Sequence, residues 1–143
     1  MQIIIPEDLG GKLRVLPEDT YQARIQDLFL GQSKAGNPKL TLKWVITSEY
    51  SGTQPEDYVS TVGEAVLENF SLLPQALWNL NDLYRDITGE QLPAGEMSDE
   101  EFLQMLKDAL IGAEMSILVT TDDASGEPRS VVEDRKKLSD VPF

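Results

Sequence analysis

The side chains best suited to bind a ligand are cations gathered in the first third of an acidic chain. The 143 residues include 25 Asp and Glu but only 12 Lys and Arg, so the formal net charge is −13. Half of the Lys and Arg residues lie within residues 1–45. Such side chains bind the phosphates of a nucleic acid, whereas an evenly acidic surface repels them. The candidate contacts are Arg24, Lys34, Lys39 and Lys43.

The composition excludes most catalytic chemistry. The chain has no Cys and no His, which rules out disulfides, thiolate or imidazole metal sites, and Ser-His or Cys-His nucleophile pairs. It also has no glycine-rich phosphate loop. Asp122, Asp123 and Glu127 surround one predicted turn, but they lack the ligand spacing of a calcium loop. We therefore expect no enzymatic activity, no metal and no cofactor.

Aromatic side chains would supply the stacking surfaces that a single strand of nucleic acid needs. Tyr50 and Tyr58 fall at predicted strand and loop edges, where exposure is expected. Tyr21 and Phe29 could point either inward or outward. Trp44 shares the phase of its apolar neighbours, which predicts a core position. Two further aromatics are predicted to pack within a helix, namely Trp78 and Tyr84.

A long β-hairpin over Thr20–Thr47 would position these residues. Its second strand alternates Leu40, Leu42, Trp44 and Ile46 with mostly polar residues, so one face is core and the other is free. In the first strand, Tyr21, Ala23 and Ile25 would share the core face. The alternation slips past Asp27, which predicts a bulge or a sharp bend there. Arg24 and Lys43 would then point outward, either to bind a ligand or simply to protect a sheet edge.

The remaining pattern predicts a mainly β fold with a helical insertion. A third strand is predicted at Tyr58–Val62, helical spacing at Glu64–Phe70 and Pro74–Ile87, and a second capped helix from Ser98. Ala113–Thr121 and Arg129–Glu133 read as the last strands. This order matches a five-stranded antiparallel oligonucleotide/oligosaccharide-binding (OB) barrel with helices between strands 3 and 4. We predict one OB domain at residues 1–133 and a tail at 134–143.

An OB barrel holds single strands on strands two and three and on the loops after strands one and four. Those elements would be Lys39–Thr47, Tyr58–Val62, Gly31–Pro38 and Asp122–Pro128. The cations concentrate on the hairpin, whereas residues 49–108 are strongly acidic. A net-acidic protein with this division can still track a phosphate chain on one side.

The hairpin also resembles a known family. Ser33–Leu42 reads SKAGNPKLTL and follows a Y-x-A-R-I strand, which is similar to the first hairpin of small phage-encoded single-stranded-DNA-binding proteins. The similarity extends from about Leu16 to Val132 and includes Ile111-Gly112-Ala113. It implies an OB barrel, sequence-independent binding of single-stranded DNA and a role in phage replication or recombination. Family site residues carry over to Lys34, Asn37 and Lys39, to which the face argument adds Arg24 and Lys43.

The C-terminal residues carry a second resemblance. Ser139–Phe143 is similar to the acidic D-x-P-F tip with which bacterial single-stranded-DNA-binding proteins dock replication and repair enzymes. The terminal Phe offers an apolar plug and its carboxylate, while Asp meets a basic rim on the partner. The resemblance implies a partner-binding peptide formed by Asp140, Val141, Pro142 and Phe143. The usual long linker is absent, and Arg135, Lys136 and Lys137 replace further acids.

Two other functions remain open from the sequence. The chain could be an accessory module that binds replication or recombination proteins through its helices, or an acidic mimic of DNA that inhibits a nuclease. The sequence leaves the oligomeric state undetermined. No apolar run is long enough to span a bilayer, and MQIIIPEDLGG lacks the features of a secretion signal. We therefore expect a cytoplasmic protein, in the bacterial host if phage-encoded, with no membrane partner.

Overall fold

The computed structural model describes residues 13–49, 59–124 and 126–138. They form five strands and two helices. The elements are β1 (Asp19–Gln32), β2 (Pro38–Glu49), β3 (Ala65–Ser71), a 3-10 turn (Pro74–Ala76), α1 (Leu77–Thr88), α2 (Asp99–Leu110), β4 (Glu114–Asp122) and β5 (Arg129–Lys137). All strand pairs are antiparallel, and the sheet order is β3-β2-β1-β4-β5. The predicted mainly β architecture with helices between the third and fourth strands is confirmed.

The β1–β2 hairpin forms as predicted because its alternation separates two faces. Leu40, Leu42, Trp44 and Ile46 are all buried, as are Tyr21, Ala23 and Ile25 opposite them. The two strands stay paired from Tyr21 and Glu49 to Gln32 and Pro38. This hairpin is the centre of the sheet, since β1 also pairs with β4, and β2 with β3.

The predicted bulge in β1 is present at Gln26. Ile25 lies opposite Trp44 and Asp27 opposite Lys43, so Gln26 is the extra residue. The insertion reverses the side-chain phase, and Leu28 becomes buried after it. Phe29 therefore points away from the core.

The third strand is not where the sequence predicted it. Residues 59–62 form no strand, and Tyr58 lies outside the described residues. The guanidinium of Arg14 donates to the carbonyls of Val59 and Ser60 at 3.1 and 3.0 Å, and Glu49 accepts hydrogen bonds from Ser60 and Thr61. The side chains of Arg14 and Glu49 thus bind backbone groups that would otherwise pair with a neighbouring strand.

The third strand is Ala65–Ser71. The sequence analysis predicted a helix over most of these residues. Val66, Glu68 and Phe70 are buried, while Leu67, Asn69 and Ser71 are exposed, which is the period of a strand. The prediction of helix at Glu64–Phe70 is therefore wrong. It failed because Glu68, a charged residue, holds an inward position that the sequence pattern assigns to an apolar one.

The two helices form as predicted and cover the core. Gly89 ends α1 with φ 79°, and the Ser98 hydroxyl accepts from the backbone N–H of Glu101 to cap α2. Leu80, Leu83, Leu106 and Leu110 are buried against the sheet. Within the described residues, neither helix has the length and apolar character needed to cross a bilayer.

The last strand is longer than the sequence predicted. β5 pairs with β4 from Arg129 to Lys137 and therefore includes residues 134–137, which the sequence analysis assigned to a tail. The β4–β5 register also shifts, since Leu118 lies opposite Asp134 and Val119 opposite Val132, so Glu133 is an extra residue in β5. This bulge interrupts the alternation of β5 and explains why its end was not predicted.

A buried ion pair connects the two outer strands. Arg135 on β5 donates to the Glu68 carboxylate on β3, and the side-chain exposures are 13% and 9%. The Arg135 guanidinium also donates to Asn79 Oδ1 on α1 at 3.0 Å and lies 5.0 Å from the Phe70 ring centroid. Trp44 Nε1 on β2 donates to Glu68 Oε1 at 2.9 Å. Three strands therefore meet at the Glu68 carboxylate, and α1 is connected to it through the Arg135 guanidinium.

Outside that contact, β3 and β5 are not paired. Among the described residues these two strands share no ladder, and a groove of about 630 Å³ lies between residues 65–69 and 127–132. Burial raises the pKa of Glu68, while the neighbouring Arg135 charge and the hydrogen bonds from Trp44 and Arg135 oppose the shift. The ion pair is thus the main polar connection between the two sheet edges.

We expect Arg135→Met to lower the free energy of unfolding by about 3 kcal/mol at pH 7, because it leaves a buried carboxylate without its counter-charge. Burial already holds the folded-state pKa of Glu68 above its ordinary value, and this pKa rises further in the variant. As the pH falls through that raised pKa, Glu68 takes up a proton in the folded variant, and the cost of the substitution decreases. Urea unfolding at pH 7 and pH 4.5 measures both values.

Arg129→Met is the matched control, since Arg129 forms an ion pair with Asp122 at 3.4 Å but its side chain is 63% exposed. We expect it to change the unfolding free energy by about 1 kcal/mol or less at either pH. Equal losses for the two variants would contradict the structural role of the Glu68–Arg135 pair.

Candidate nucleic-acid interface

The sheet presents one outward face formed by β1, β2 and β3. The strand registers place three rows of side chains across it. One row is Gly31, Lys39 and Ser71, the next is Phe29, Thr41 and Asn69, and the third is Asp27, Lys43 and Leu67. Rows are about 7 Å apart and neighbouring strands about 4.8 Å apart. We call this surface the β1–β3 face.

Two lysines define the charge of the β1–β3 face. Lys39 and Lys43 point the same way on β2 and are about 13 Å apart, four residues at the usual strand rise. In the described part of the chain neither lysine forms an ion pair. A phosphate chain could therefore contact both ammonium groups without breaking an existing pair.

Two carboxylates limit this positive charge. Asp27 lies directly opposite Lys43, and Glu114 on β4 lies opposite Arg24. Glu114 accepts a hydrogen bond from Gln22 Nε2 at 2.9 Å. Arg24 is exposed and is opposite Val45 on its other side. The sheet thus brings Arg24, Lys39 and Lys43 to one surface, with Arg24 in a partly neutralised position.

Phe29 is the exposed aromatic residue on this face. It is 40% exposed, and Leu67 on β3 is exposed to the same extent. Thr41 lies on β2, between the strands of Phe29 and Leu67, and is only 8% exposed. Its hydroxyl donates to Asn69 Oδ1 at 2.6 Å. The face therefore combines two apolar side chains with a fixed polar pair.

Tyr21 does not belong to the interface. It is fully buried, and its hydroxyl donates to the Pro17 carbonyl at 2.6 Å. A ring with no exposed surface cannot stack on a base, so the inclusion of Tyr21 among the stacking residues was wrong. Trp44 is fully buried too, as predicted.

The β1–β2 turn carries Lys34 and Asn37 at the end of the face. The Ser33 N–H donates to the Asn37 carbonyl at 2.8 Å, and Gly36 adopts φ 84°, which favours glycine. Both Lys34 and Asn37 are exposed. The turn thus extends the cationic surface beyond Lys39.

The loop after β4 is anionic. Asp122 forms an exposed ion pair with Arg129, and the Ala124 backbone N–H, which donates to its carboxylate, lowers the pKa of Asp122. Asp123 and Glu127 are also exposed there. In an OB barrel this loop would adjoin the ligand, yet here it adds negative charge.

Several predicted site residues lie outside the described residues. They are Tyr50, Tyr58, Asp140, Val141, Pro142 and Phe143.

The sequence analysis missed Thr41, Leu67 and Asn69 as members of the face. Leu67 and Asn69 were missed because their strand was predicted as a helix. The available signal was the alternation of Val66 and Phe70 with polar residues, which Glu68 obscures. Thr41 was visible on the outward phase of β2, but its bond to Asn69 depends on β3.

Comparison with protein-family models finds no match, and comparison with curated proteins also finds none.

We expect Tyr21→Ala and Phe29→Ala to differ strongly in stability. Removing the buried Tyr21 ring should lower the free energy of unfolding by about 3–5 kcal/mol, since it leaves a cavity. Removing the exposed Phe29 ring should cost about 1 kcal/mol or less. Urea unfolding followed by circular dichroism measures both. A large loss for Phe29→Ala would show that this ring is part of the core.

Proposed function

We propose that this chain is a single-stranded-DNA-binding protein that binds its ligand on the β1–β3 face without base-sequence preference. The observation that supports this most directly is that Lys39 and Lys43 share one surface with Phe29 and form no ion pair within the described residues. Single-strand binders combine a cationic track with aromatic stacking surfaces in this way.

The proposal includes closure of the sheet into an OB-type barrel. The strand order leaves β3 and β5 at the two edges, and the Glu68–Arg135 pair joins those edges. The helices follow β3 in the chain, as they do in that fold. The ligand-binding strands of an OB barrel then correspond to β2 and β3, which carry Lys39, Lys43, Leu67 and Asn69.

The negative charge of the rest of the chain favours a single binding surface. Residues 74–112 carry eight acidic residues and only Arg85 and Lys107 as cations. Such a surface repels a phosphate chain, so a bound strand should remain on the β1–β3 face. Arg24 and Lys34 extend that face on either side of the lysine pair.

The role in phage replication or recombination is a proposal that depends on the resemblance of Ser33–Leu42 to phage single-strand binders. The recruitment of partner enzymes by Asp140–Phe143 is also a proposal, which depends on the separate resemblance of Ser139–Phe143 to the tip of bacterial single-stranded-DNA-binding proteins. In that arrangement the strands bind DNA and the terminal peptide binds protein, so the two activities can be separated by mutation.

We expect the double variant Lys39→Gln/Lys43→Gln to bind a poly-dT oligonucleotide about tenfold more weakly than the unmodified chain at low salt. Two lost phosphate contacts should also reduce the slope of log K against log salt by about 1.4. Fluorescence anisotropy at several salt concentrations measures both quantities.

Lys136→Gln/Lys137→Gln is the matched control, because it removes the same charge from two exposed residues of β5. We expect its affinity and salt slope to stay near those of the unmodified chain. Equal effects of the two double variants would contradict a site on the β1–β3 face. No binding of poly-dT by the unmodified chain would favour the DNA-mimic function.

We expect Phe29→Ala to weaken binding about fivefold or more, since a stacked base contributes roughly 1–3 kcal/mol. The salt slope should not change, because no phosphate contact is lost. The lysine variant, in contrast, should lose affinity and also show a smaller salt slope. Unchanged affinity would remove Phe29 from the interface.

A further inference from the structure

Trp78 is the most exposed aromatic side chain among the described residues. It lies in the first turn of α1 and is 65% exposed, whereas Trp44 is fully buried. The sequence analysis expected Trp78 to pack within the protein, and this prediction is wrong. Exposed tryptophans are unusual on a monomer and are enriched at protein interfaces.

Trp78 belongs to a narrow stripe on the exposed side of α1. Asp82 and Arg85 follow it at the i+4 and i+7 positions, so all three lie on one helix face. Arg85 forms an ion pair with Asp82 at 3.1 Å, and the two side chains remain 51% and 47% exposed. We call Trp78, Asp82 and Arg85 the α1 stripe.

The spacing of the α1 stripe makes it complementary to itself. In two antiparallel helices related by a two-fold axis between positions 81 and 82, position 78 of one helix faces position 85 of the other. Trp78 then lies against the Arg85 of a second copy, and the contact occurs twice. Arg over the face of Trp is the most favourable cation–π pair that these residue types form.

We propose that the chain forms a two-fold symmetric dimer through antiparallel packing of α1, with Trp78 of each protomer against Arg85 of the other. A two-fold interface requires that residue i contact j while j contacts i, and the α1 stripe meets that requirement. Asp82 stays beside Arg85 within its own helix and orients the guanidinium. The strands that carry Lys39 and Lys43 take no part in this contact.

Electrostatic repulsion opposes this dimer at low salt. Each chain carries a net charge of −13, so two protomers repel one another until salt screens them. At 0.3 M salt the Debye length is about 6 Å. The repulsion between whole chains is then screened, whereas the short contacts of the α1 stripe are retained. Self-association should therefore be measured at that salt concentration.

The test is sedimentation equilibrium of the full chain over a concentration series without DNA. We expect the unmodified chain to pass from monomer to dimer at micromolar concentrations. Trp78→Ala and Arg85→Ala should each weaken the dimer at least about tenfold, while Arg129→Ala, which alters another exposed ion-paired arginine, should not. Circular dichroism confirms that the variants are folded.

Exchanging the residues at positions 78 and 85 tests the antiparallel pairing itself. Trp78→Arg places two arginines opposite one another and should abolish the dimer. Trp78→Arg/Arg85→Trp recreates both pairs in reverse and should restore it. Acrylamide quenching of tryptophan fluorescence should fall as the unmodified chain dimerises, because the partner covers Trp78. The change can be assigned to Trp78, since Trp44 is already buried in the monomer.

Three results would overturn the proposal. They are a chain that stays monomeric at the highest concentration, a dimer that persists in Trp78→Ala, and a double exchange that fails to restore what Trp78→Arg removes. None of them depends on binding of DNA, so the proposed function and this dimer can fail separately.

Discussion

The buried contact between Glu68 and Arg135 is the interaction on which the arrangement of this protein depends. A carboxylate on an inward position of β3 is costly unless it is paired and hydrogen-bonded. Here Arg135 supplies the charge and Trp44 Nε1 supplies a further donor. Asn79 binds the same guanidinium at 3.0 Å, which connects α1 to the pair. The two edges of the sheet and the first helix are therefore oriented by one polar cluster inside an apolar core.

This cluster also explains how one sheet can serve two purposes. The inward side chains of β1, β2 and β3 make the core, and Glu68 is satisfied there without reaching solvent. On the outward side of the same strands, Thr41 is bonded to Asn69 and Gln22 to Glu114, whereas Lys39 and Lys43 form no ion pair within the described residues. Lys39, Lys43 and Phe29 consequently occupy positions where substitution affects the surface more than the fold.

Local irregularity decides which side chains reach that surface. The extra residue at Gln26 sends Leu28 inward and Phe29 outward. Without it, the strict alternation of β1 would bury Phe29 and expose both leucines. In α1, Leu80 and Leu83 are buried, and this orientation leaves Trp78 in solvent. Phe29 and Trp78 thus reach the surface because of the phase of the elements that carry them.

The sequence by itself determined the elements whose signals are local. Alternation over Thr20–Thr47 predicted the hairpin, the slip after Asp27 predicted the bulge, and the Ser98 cap and Gly89 predicted helix ends, because neighbouring residues suffice to fix them. The tertiary structure alone decided the position of β3 and the exposure of Trp78. Glu68 reads as a surface residue until Arg135, 67 positions further along the chain, is brought beside it. Inward and outward positions therefore depend on partners that no local pattern contains.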